Sequence, residues 1–339
     1  METLFQKLYF AVCILEIVDI CYSNPVQGTQ WDDDPNYFTH TIRMPDAVSP
    51  EADALICHVV KLDPREAYIL KYEPHATMQV AHHMMVYGCL EVGSEEPYWA
   101  CGEMDERSDN SVCKVGSRNI VWAWAMDATS RELPQGVGYR VGGTTDIKYL
   151  VLQMHYKDKF KPGQTDRSGV TLHMTYTPQP KQAGYYVLGN TGYIPPMTEG
   201  VVTSGYRIRN GVWTEIGRMS PQLPETFYNV TTPGISIETN DILAARCTMS
   251  SQRKLVTMIG TTNRDEMCNF YILFYTWRKE NLKNDFCFRD AQQFHWSNYL
   301  KNIPVTASSI QGLPPFERED PFAEPSRSSS GQRDVDTFM

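Results

Sequence analysis

The sequence predicts an all-β protein built from antiparallel β-sandwiches. Short runs rich in Val, Ile, Tyr and Thr recur along the chain, and these residues favour strands over helices. Turn-forming residues separate the runs, and the chain contains 21 Pro and 22 Gly. Hydrophobic residues make up 42% of the 339 residues, which is typical of a protein with packed cores, and the length suits two domains.

The first block of predicted strands covers residues 24–180. Residues 24–40 are polar and rich in turns, and a loop-rich segment with several cysteines follows at 91–118. Pro, Asp and Gly separate the apolar runs, as in an antiparallel sandwich. The sequence Thr-Pro-Gln-Pro at 177–180 is the predicted domain boundary. The predicted strands of this block are 40–44, 54–60, 68–72, 77–89, 121–125, 149–156 and 169–176.

The second block, residues 181–302, again contains short strand-like runs, after which the composition changes. Residues 303–339 are rich in Pro, Ser and charged side chains and contain few large apolar groups. Such a segment cannot bury enough apolar surface to fold, so we expect a disordered tail. The predicted strands of the second block are 201–208, 212–216, 235–237, 242–247 and 270–275.

Residues 1–23 resemble a secretory signal peptide, because Lys7 precedes an apolar run at 8–15 and small and polar residues follow. Glu16 and Asp19 are unusual in such a segment. An uncleaved anchor is the alternative, but the run is too short to span a bilayer. We expect no membrane span elsewhere and a product that is secreted or held in the lumen of a secretory vesicle. A net charge of −9 without a basic stripe argues against a nucleic-acid partner.

Nine cysteines indicate an oxidising compartment. Two of them, Cys13 and Cys21, lie in the predicted signal peptide. An odd number remains, and a leftover cysteine in a secreted protein requires an explanation. Asn229 begins an Asn-Val-Thr glycosylation sequon, which agrees with that compartment. The remaining cysteines are Cys57, Cys89, Cys101, Cys113, Cys247, Cys268 and Cys287.

Two adjacent histidines, His82 and His83, lie in a run that otherwise resembles a buried strand. Because successive side chains on a strand point to opposite faces, both imidazoles can reach one metal only at a strand end or a bulge. A third histidine, His155, lies in another strand-like run. The alternative is that they are hydrogen-bonded core histidines, as most isolated histidines are. Three imidazoles suit copper, zinc or iron, so the sequence predicts a metal site.

Several motifs together resemble one family, the copper- and ascorbate-dependent peptidylglycine α-hydroxylating monooxygenases. They run through both blocks, over roughly residues 40–302. Dopamine β-monooxygenases share the His-His-Met and Glu-Met-Cys motifs, whereas the Gly-Val-Gly, Leu-Ala-Ala-Arg-Cys and Pro-Gln-Leu-Pro motifs favour the peptide hydroxylases. The matching stretches are 82–84 (His-His-Met), 133–138 (Leu-Pro-Gln-Gly-Val-Gly), 153–156 (Gln-Met-His-Tyr), 178–180 (Pro-Gln-Pro), 204–211 (Ser-Gly-Tyr-Arg-Ile-Arg-Asn-Gly), 221–224 (Pro-Gln-Leu-Pro), 241–247 (Asp-Ile-Leu-Ala-Ala-Arg-Cys) and 265–269 (Asp-Glu-Met-Cys-Asn).

The resemblance implies two jelly-roll-like β-sandwich domains, each carrying one copper, with ascorbate as the reductant. It implies that His82, His83 and His155 hold the first copper, which stores an electron. In the family a His-x-His pair and a methionine hold the second, oxygen-activating copper. Met267 matches that methionine, and a thioether suits Cu(I). The residues implied to bind substrate are Asn269, Tyr271 and Gln153.

The implied reaction is hydroxylation of the α-carbon of a C-terminal glycine in a peptide, the first step of peptide C-terminal amidation. The implied partners are glycine-extended peptides, together with a separate hydroxyglycine lyase that acts downstream. Two other functions stay open. One is a non-catalytic secreted variant that binds a single copper, and the other is a monoamine β-hydroxylase. Zinc is the alternative metal, because it also accepts three imidazoles.

One part of the family pattern is missing. None of the eight histidines forms a His-x-His pair, so Met267 is the one family ligand of the second copper that remains. In the family, a strand pair between the positions of Pro196 and Val201 holds the two histidines, an arginine that binds the substrate carboxylate, and a cysteine. We therefore expect an incomplete second domain, impaired activity and one bound copper rather than two.

The resemblance also implies the disulfide pairing. Cys287 would pair with the cysteine of the missing segment. A single excision therefore explains both the odd number of cysteines and the absence of the His-x-His pair. The implied disulfides are Cys57–Cys101, Cys89–Cys113 and Cys247–Cys268.

Overall fold

A computed structural model of the chain confirms the predicted all-β fold class. It describes residues 18–20, 31, 33–102, 110–115, 118–198, 202–260, 262, 264–277, 285–290 and 296–313. In these residues the secondary structure is almost entirely strand, with one short α-helix and one 3₁₀ helix. Within the same ranges, no helix has the length and apolar character needed to cross a membrane.

The strands of the first block fall on the predicted apolar runs, with several short strands added in the loops. Before this block lies β1 (Val18–Ile20). The strands of the block are β2 (Tyr37–Arg43), β3 (Ala54–Lys61), β4 (Ala67–His75), β5 (Ala81–Cys89), β6 (Glu91–Val92), β7 (Trp99–Ala100), β8 (Cys113–Val115), β9 (Asn119–Ala125), β10 (Arg131–Glu132), β11 (Val137–Val141), β12 (Tyr149–Tyr156) and β13 (Gly169–Thr175).

Among the described residues, the second block contains eight strands and an α-helix, and a 3₁₀ helix follows it. They are β14 (Lys181–Ile194), β15 (Val202–Arg209), β16 (Val212–Met219), β17 (Ser236–Ile237), β18 (Ile242–Thr248), β19 (Thr257–Ile259), β20 (Asn269–Thr276), β21 (Phe286–Asp290), the α-helix α1 (Trp296–Tyr299) and a 3₁₀ helix (Val305–Ser308).

Two sheets enclose the core of the first block. One sheet has the strand order β7-β3-β12-β5-β9, and the other contains β11-β4-β13-β2. The central strand β12 is buried along almost its whole length, which explains its continuous apolar sequence. The core includes Ile42, Ile69, Met84, Trp124, Leu152 and Leu172.

Strand β14 joins the two blocks. It begins directly after the predicted boundary and pairs with β11, where Val137 lies opposite Lys181 and Gly138 opposite Gln182. Backbone hydrogen bonds therefore cross the boundary, and Tyr185 of β14 packs in the core of the first block. The β14 pairings with β11 and β21 are parallel, whereas the sequence predicted antiparallel strands throughout. Each partner is far from β14 in sequence, and such long connections permit parallel pairing.

The prediction that the disordered tail begins at residue 303 is wrong for residues 303–313. Residues 303–313 are folded, and the 3₁₀ helix packs on β15 and β18. Ala307 is buried, and its carbonyl oxygen accepts a hydrogen bond from the Ser204 hydroxyl at 2.8 Å. Arg218 donates to the carbonyl oxygens of Ser309 and Gln311. The polar composition of this segment did not indicate the few apolar and backbone contacts that hold it. Residues 314–339 lie outside the described residues.

Part of the predicted signal peptide forms a strand. Val18–Ile20, as β1, pairs with β17 and β20 in the second block. Residues 1–17 and 21–30 lie outside the described residues, so cleavage of a signal peptide stays a prediction.

The three predicted disulfides are confirmed. Cys57–Cys101 and Cys89–Cys113 tie the loop-rich segment to β3 and β5, and Cys247–Cys268 ties β18 to the residue before β20. Cys287 lies on β21 opposite Leu188 and takes part in none of these three bonds.

Candidate metal centre

The register of β5 and β12 brings the three predicted histidines together. His83 lies directly opposite His155, and the pairing then skips one residue, because Tyr156 pairs with Ala81. His82 is therefore the extra residue of a β-bulge, which breaks the alternation that would turn it away from His83. Adjacent histidines on one strand require such an irregularity if both are to reach one ion, and the structure contains it.

The Nδ1 atoms of the three imidazoles converge. His82 Nδ1 lies 3.1 Å from His83 Nδ1, which lies 3.4 Å from His155 Nδ1. Two nitrogens bound to one ion at about 2.0 Å stand roughly 3.1–3.5 Å apart. Both separations suit a single copper or zinc ion, and the three ligand atoms all lie within 4.8 Å of one another. Among the described residues, no other group of three His, Cys, Asp or Glu side chains converges in this way.

The surroundings favour neutral imidazoles, the form that binds a metal. Burial lowers the pKa of His83 well below its usual value, and repulsion from His155 and His82 lowers it further. Burial also lowers the pKa of His155, as does His82, while the nearby Asp53 carboxylate opposes the shift. The pKa of His82 is lowered by burial as well. Protons therefore compete less with a metal at neutral pH than they would for exposed histidines.

Met267 lies in the second block, on the segment that leads into β20. Its side chain is 39% exposed, and the disulfide of its neighbour Cys268 anchors the segment. Its other neighbour, Glu266, lies close enough to His82 for its charge to raise the pKa of that imidazole, against the larger lowering by burial. The segment that carries Met267 therefore lies near the three-histidine site.

The predicted substrate residues occupy two different environments. Asn269 and Tyr271 are partly buried on β20, two residues apart and therefore on one face of the strand. Gln153 lies two residues before His155 on β12 and is only 2% exposed. Its amide donates a hydrogen bond to the Gly102 carbonyl oxygen at 3.0 Å. The Gln153 side chain therefore has a protein partner in this conformation, and the substrate role of all three residues stays a prediction.

The described part of the second block contains no nitrogen ligand for a second copper. β14 ends at Ile194 and β15 begins at Val202, and residues 195–198 between them contain no histidine. His295, the one histidine of the second block, lies outside the described residues. A single exposed thioether at Met267 does not fit a copper ion that requires imidazole ligands as well.

Glu225 is a residue near the site that sequence reasoning missed. It pairs with Ala125, which pairs with His83, so His155, His83, Ala125 and Glu225 form one row across the sheet. Residues paired in this way place their side chains on the same face. Burial raises the pKa of the Glu225 carboxyl to about 7. Glu225 directly follows the Pro-Gln-Leu-Pro motif, but only the tertiary structure places it in the row of ligands.

We expect Glu225→Gln to stabilise the protein at alkaline pH. A carboxyl whose pKa rises from 4.5 to about 7 on folding contributes stability below pH 4.5, which is lost as the pH rises through about 7. The amide cannot ionise, so the gain should grow over this range to at most about 3 kcal/mol. Urea unfolding from pH 4.5 to pH 8 measures the difference. The exposed Glu51→Gln serves as control, and a gain that is equal at all pH values would contradict the assignment.

Comparison with known proteins agrees with this geometry. The family model for the N-terminal domain of copper type II ascorbate-dependent monooxygenases matches residues 40–162, and the model for the C-terminal domain matches residues 185–300. The first match contains all three histidines of the metal centre, and the second contains Met267.

Several similar proteins are named as monooxygenases or hydroxylases. Peptidyl-glycine alpha-amidating monooxygenase of Mus musculus is 38% identical over 310 residues, which are 81% of this chain and 31% of that protein. Form B of Xenopus laevis is 38% identical over 80% of this chain and 34% of its own length. Dopamine beta-hydroxylase of Equus caballus is 26% identical over 70% of this chain and 46% of its own length. The chain spans about a third of the length of the amidating relatives. It belongs to the copper type II ascorbate-dependent monooxygenases.

Proposed function

We propose that this chain is a peptidylglycine α-hydroxylating type of copper protein in which the electron-storage site is complete and the oxygen-activating site is not. The convergence of one ring nitrogen from each of three histidines, all within 4.8 Å of one another, carries the proposal, because hydrogen-bonded core histidines do not require such a cluster. His82, His83 and His155 would hold one copper ion, which accepts an electron from ascorbate and stores it when bound. Zinc fits the same ligands but cannot store an electron, and membership of an ascorbate-dependent family favours copper.

The ligand histidines differ in their exposure to solvent. His155 is buried on the central strand, so its position is fixed by packing, whereas His82 is exposed on the bulge. The exposed imidazole leaves the centre open to a small reductant from solvent. Glycine-extended peptides would be the substrate class of a form with a complete second site, because the amidating relatives are more similar to this chain than the dopamine hydroxylases. The hydroxyglycine product of such a form would then require a separate lyase.

The incomplete second site separates this form from a working monooxygenase. Of the family ligands for the oxygen-activating copper, only Met267 is present, so we assign no hydroxylation to the chain as written. It acts instead as a single-copper protein of the family. Three disulfides are typical of an oxidising compartment, which supports the proposal that the protein is secreted or held in a secretory vesicle.

Copper loading followed by ascorbate reduction tests the proposed function. After loading with Cu(II) and removal of the excess, metal analysis should give about one copper per chain, since one set of three imidazoles is available. Anaerobic ascorbate should then remove the Cu(II) electron paramagnetic resonance signal. Copper-free protein after loading, or a Cu(II) signal that ascorbate leaves unchanged, would overturn the proposal. Two copper ions per chain would show that the second site is intact.

A further inference from the structure

A carboxylate lies beside the most buried histidine of the metal centre. Asp53 Oδ1 is 3.4 Å from His155 Nε2, and the His155 side chain is 1% exposed whereas that of Asp53 is 29% exposed. The sheet register produces this contact. Asp53 directly precedes β3, in which Leu55 lies opposite His155 and Ala54 lies opposite Tyr156. Asp53 thus stands at the end of the neighbouring strand, where its carboxylate reaches the imidazole.

The backbone at Asp53 is held in an uncommon conformation. Its φ angle is +62°, in the left-handed region that disfavours most residues other than Gly, Asn and Asp. Such conformations persist where the surrounding structure imposes them, and they are frequent at functional sites. Here the left-handed residue is also the one whose carboxylate lies against a ligand histidine.

The two ring nitrogens of His155 face different partners. Its Nδ1 lies 3.4 Å from His83 Nδ1, within the group of converging ligand atoms. A neutral imidazole has one N–H and one lone pair, so if Nδ1 binds the metal, the hydrogen must be on Nε2. The atom that faces Nε2 is the Asp53 carboxylate oxygen. Among the described residues, His155 is the one ligand histidine with a carboxylate within 4 Å.

The geometry points to Asp53 as a positioning residue of the copper centre, which accepts the Nε2–H of His155 and keeps the Nδ1 lone pair directed at the metal. This inference rests on the proposed copper site. Carboxylates that accept a hydrogen bond from a ligand histidine fix its tautomer and increase its basicity. A negative charge so close to the centre should also favour Cu(II) over Cu(I) by simple electrostatics. Asp53 would therefore lower the reduction potential of the bound copper.

The variant Asp53→Asn removes the charge and keeps the size of the side chain and its tolerance of a left-handed backbone. Asp46→Asn is the matched control, because Asp46 also has a left-handed backbone, with φ +53°, but its carboxylate binds Arg167. In the metal-free protein, ¹⁵N NMR should show the hydrogen of His155 on Nε2. Asp53→Gly removes the acceptor and tolerates the left-handed backbone, so it should shift His155 towards a mixture of tautomers, whereas Asp46→Gly should not. A hydrogen on Nδ1 in the unchanged chain, or the same tautomer in Asp53→Gly, would overturn the inference.

Copper binding gives the second measurement. We expect Asp53→Asn to weaken Cu(II) binding about 10–100-fold, the usual effect of removing such a partner, and to weaken Cu(I) binding less. A tenfold loss confined to Cu(II) would raise the reduction potential by about 59 mV. Cu(II) binding within twofold of the unchanged chain would contradict the inference. If the unchanged chain binds no copper, the proposed function fails, and the metal-free NMR measurement still decides the role of Asp53.

Discussion

The chain as written should give no measurable hydroxylation of a glycine-extended peptide in the presence of copper and ascorbate. The reaction requires an oxygen-activating copper, and Met267 alone cannot hold one. In the family, the arginine that binds the substrate carboxylate lies in the same missing segment. A charge-assisted contact of that kind typically contributes about 1.5–3 kcal/mol. Loss of the metal has a larger effect than loss of the arginine. Without an oxygen-activating copper the reaction cannot be accelerated by the 10⁶-fold or more that enzymes typically achieve. Product analysis by mass spectrometry measures the outcome.

A variant in which the missing segment is restored serves as the positive control for this experiment. Inserting a strand pair with a His-x-His motif and the arginine between Gly200 and Val201 should recover copper-dependent hydroxylation and raise the copper content to about two per chain. An insertion of the same length with both histidines replaced by alanine is the control for folding. Robust copper-dependent turnover by the 339-residue chain itself would prove the prediction wrong. It would mean that another residue, such as His295, serves as a ligand.

The variant His155→Ala should lose copper almost completely. His155 supplies one of three converging nitrogens from the central strand of its sheet. Among the described residues, no fourth histidine lies in this group to replace it. Removing a partner that only supports a ligand typically costs 10–100-fold in affinity, so the loss of a ligand itself should exceed about 100-fold. Competition with a chelator of known affinity measures the change.

A second histidine separates the loss of a ligand from a general loss of stability. His173 lies on β13 of the same domain, where it contacts the Tyr37 hydroxyl at 2.5 Å and Glu73 at 2.9 Å. His173→Ala removes a histidine with two partners but none of the three ligands. It should lower the free energy of unfolding and leave copper affinity unchanged. Copper binding by His155→Ala at the level of the unchanged chain would disprove the ligand assignment.

The local pattern of the chain determined the fold class and much of the metal centre. Alternating and continuous apolar runs predict strands because side-chain direction on a strand has a period of two, whatever the partner strand is. The adjacent His82 and His83 required an irregular strand, and the structure places a bulge there. Against the family pattern, the histidines and cysteines of the chain lack a ligand pair and one disulfide partner. The disulfide pairing came from the family resemblance rather than from spacing.

Only the tertiary structure decided which distant residues surround the histidines. Asp53 and His155 are far apart in sequence, and the register of β3 against β12 brings them within 3.4 Å. Glu225 enters the row of ligands through a single bridge to Ala125. Parallel pairing of β14 and the folding of residues 303–313 also depend on contacts between distant segments. Local propensity extends over a few residues, whereas register and packing are set by the whole core. The environment of the metal centre could therefore not be predicted from the sequence alone.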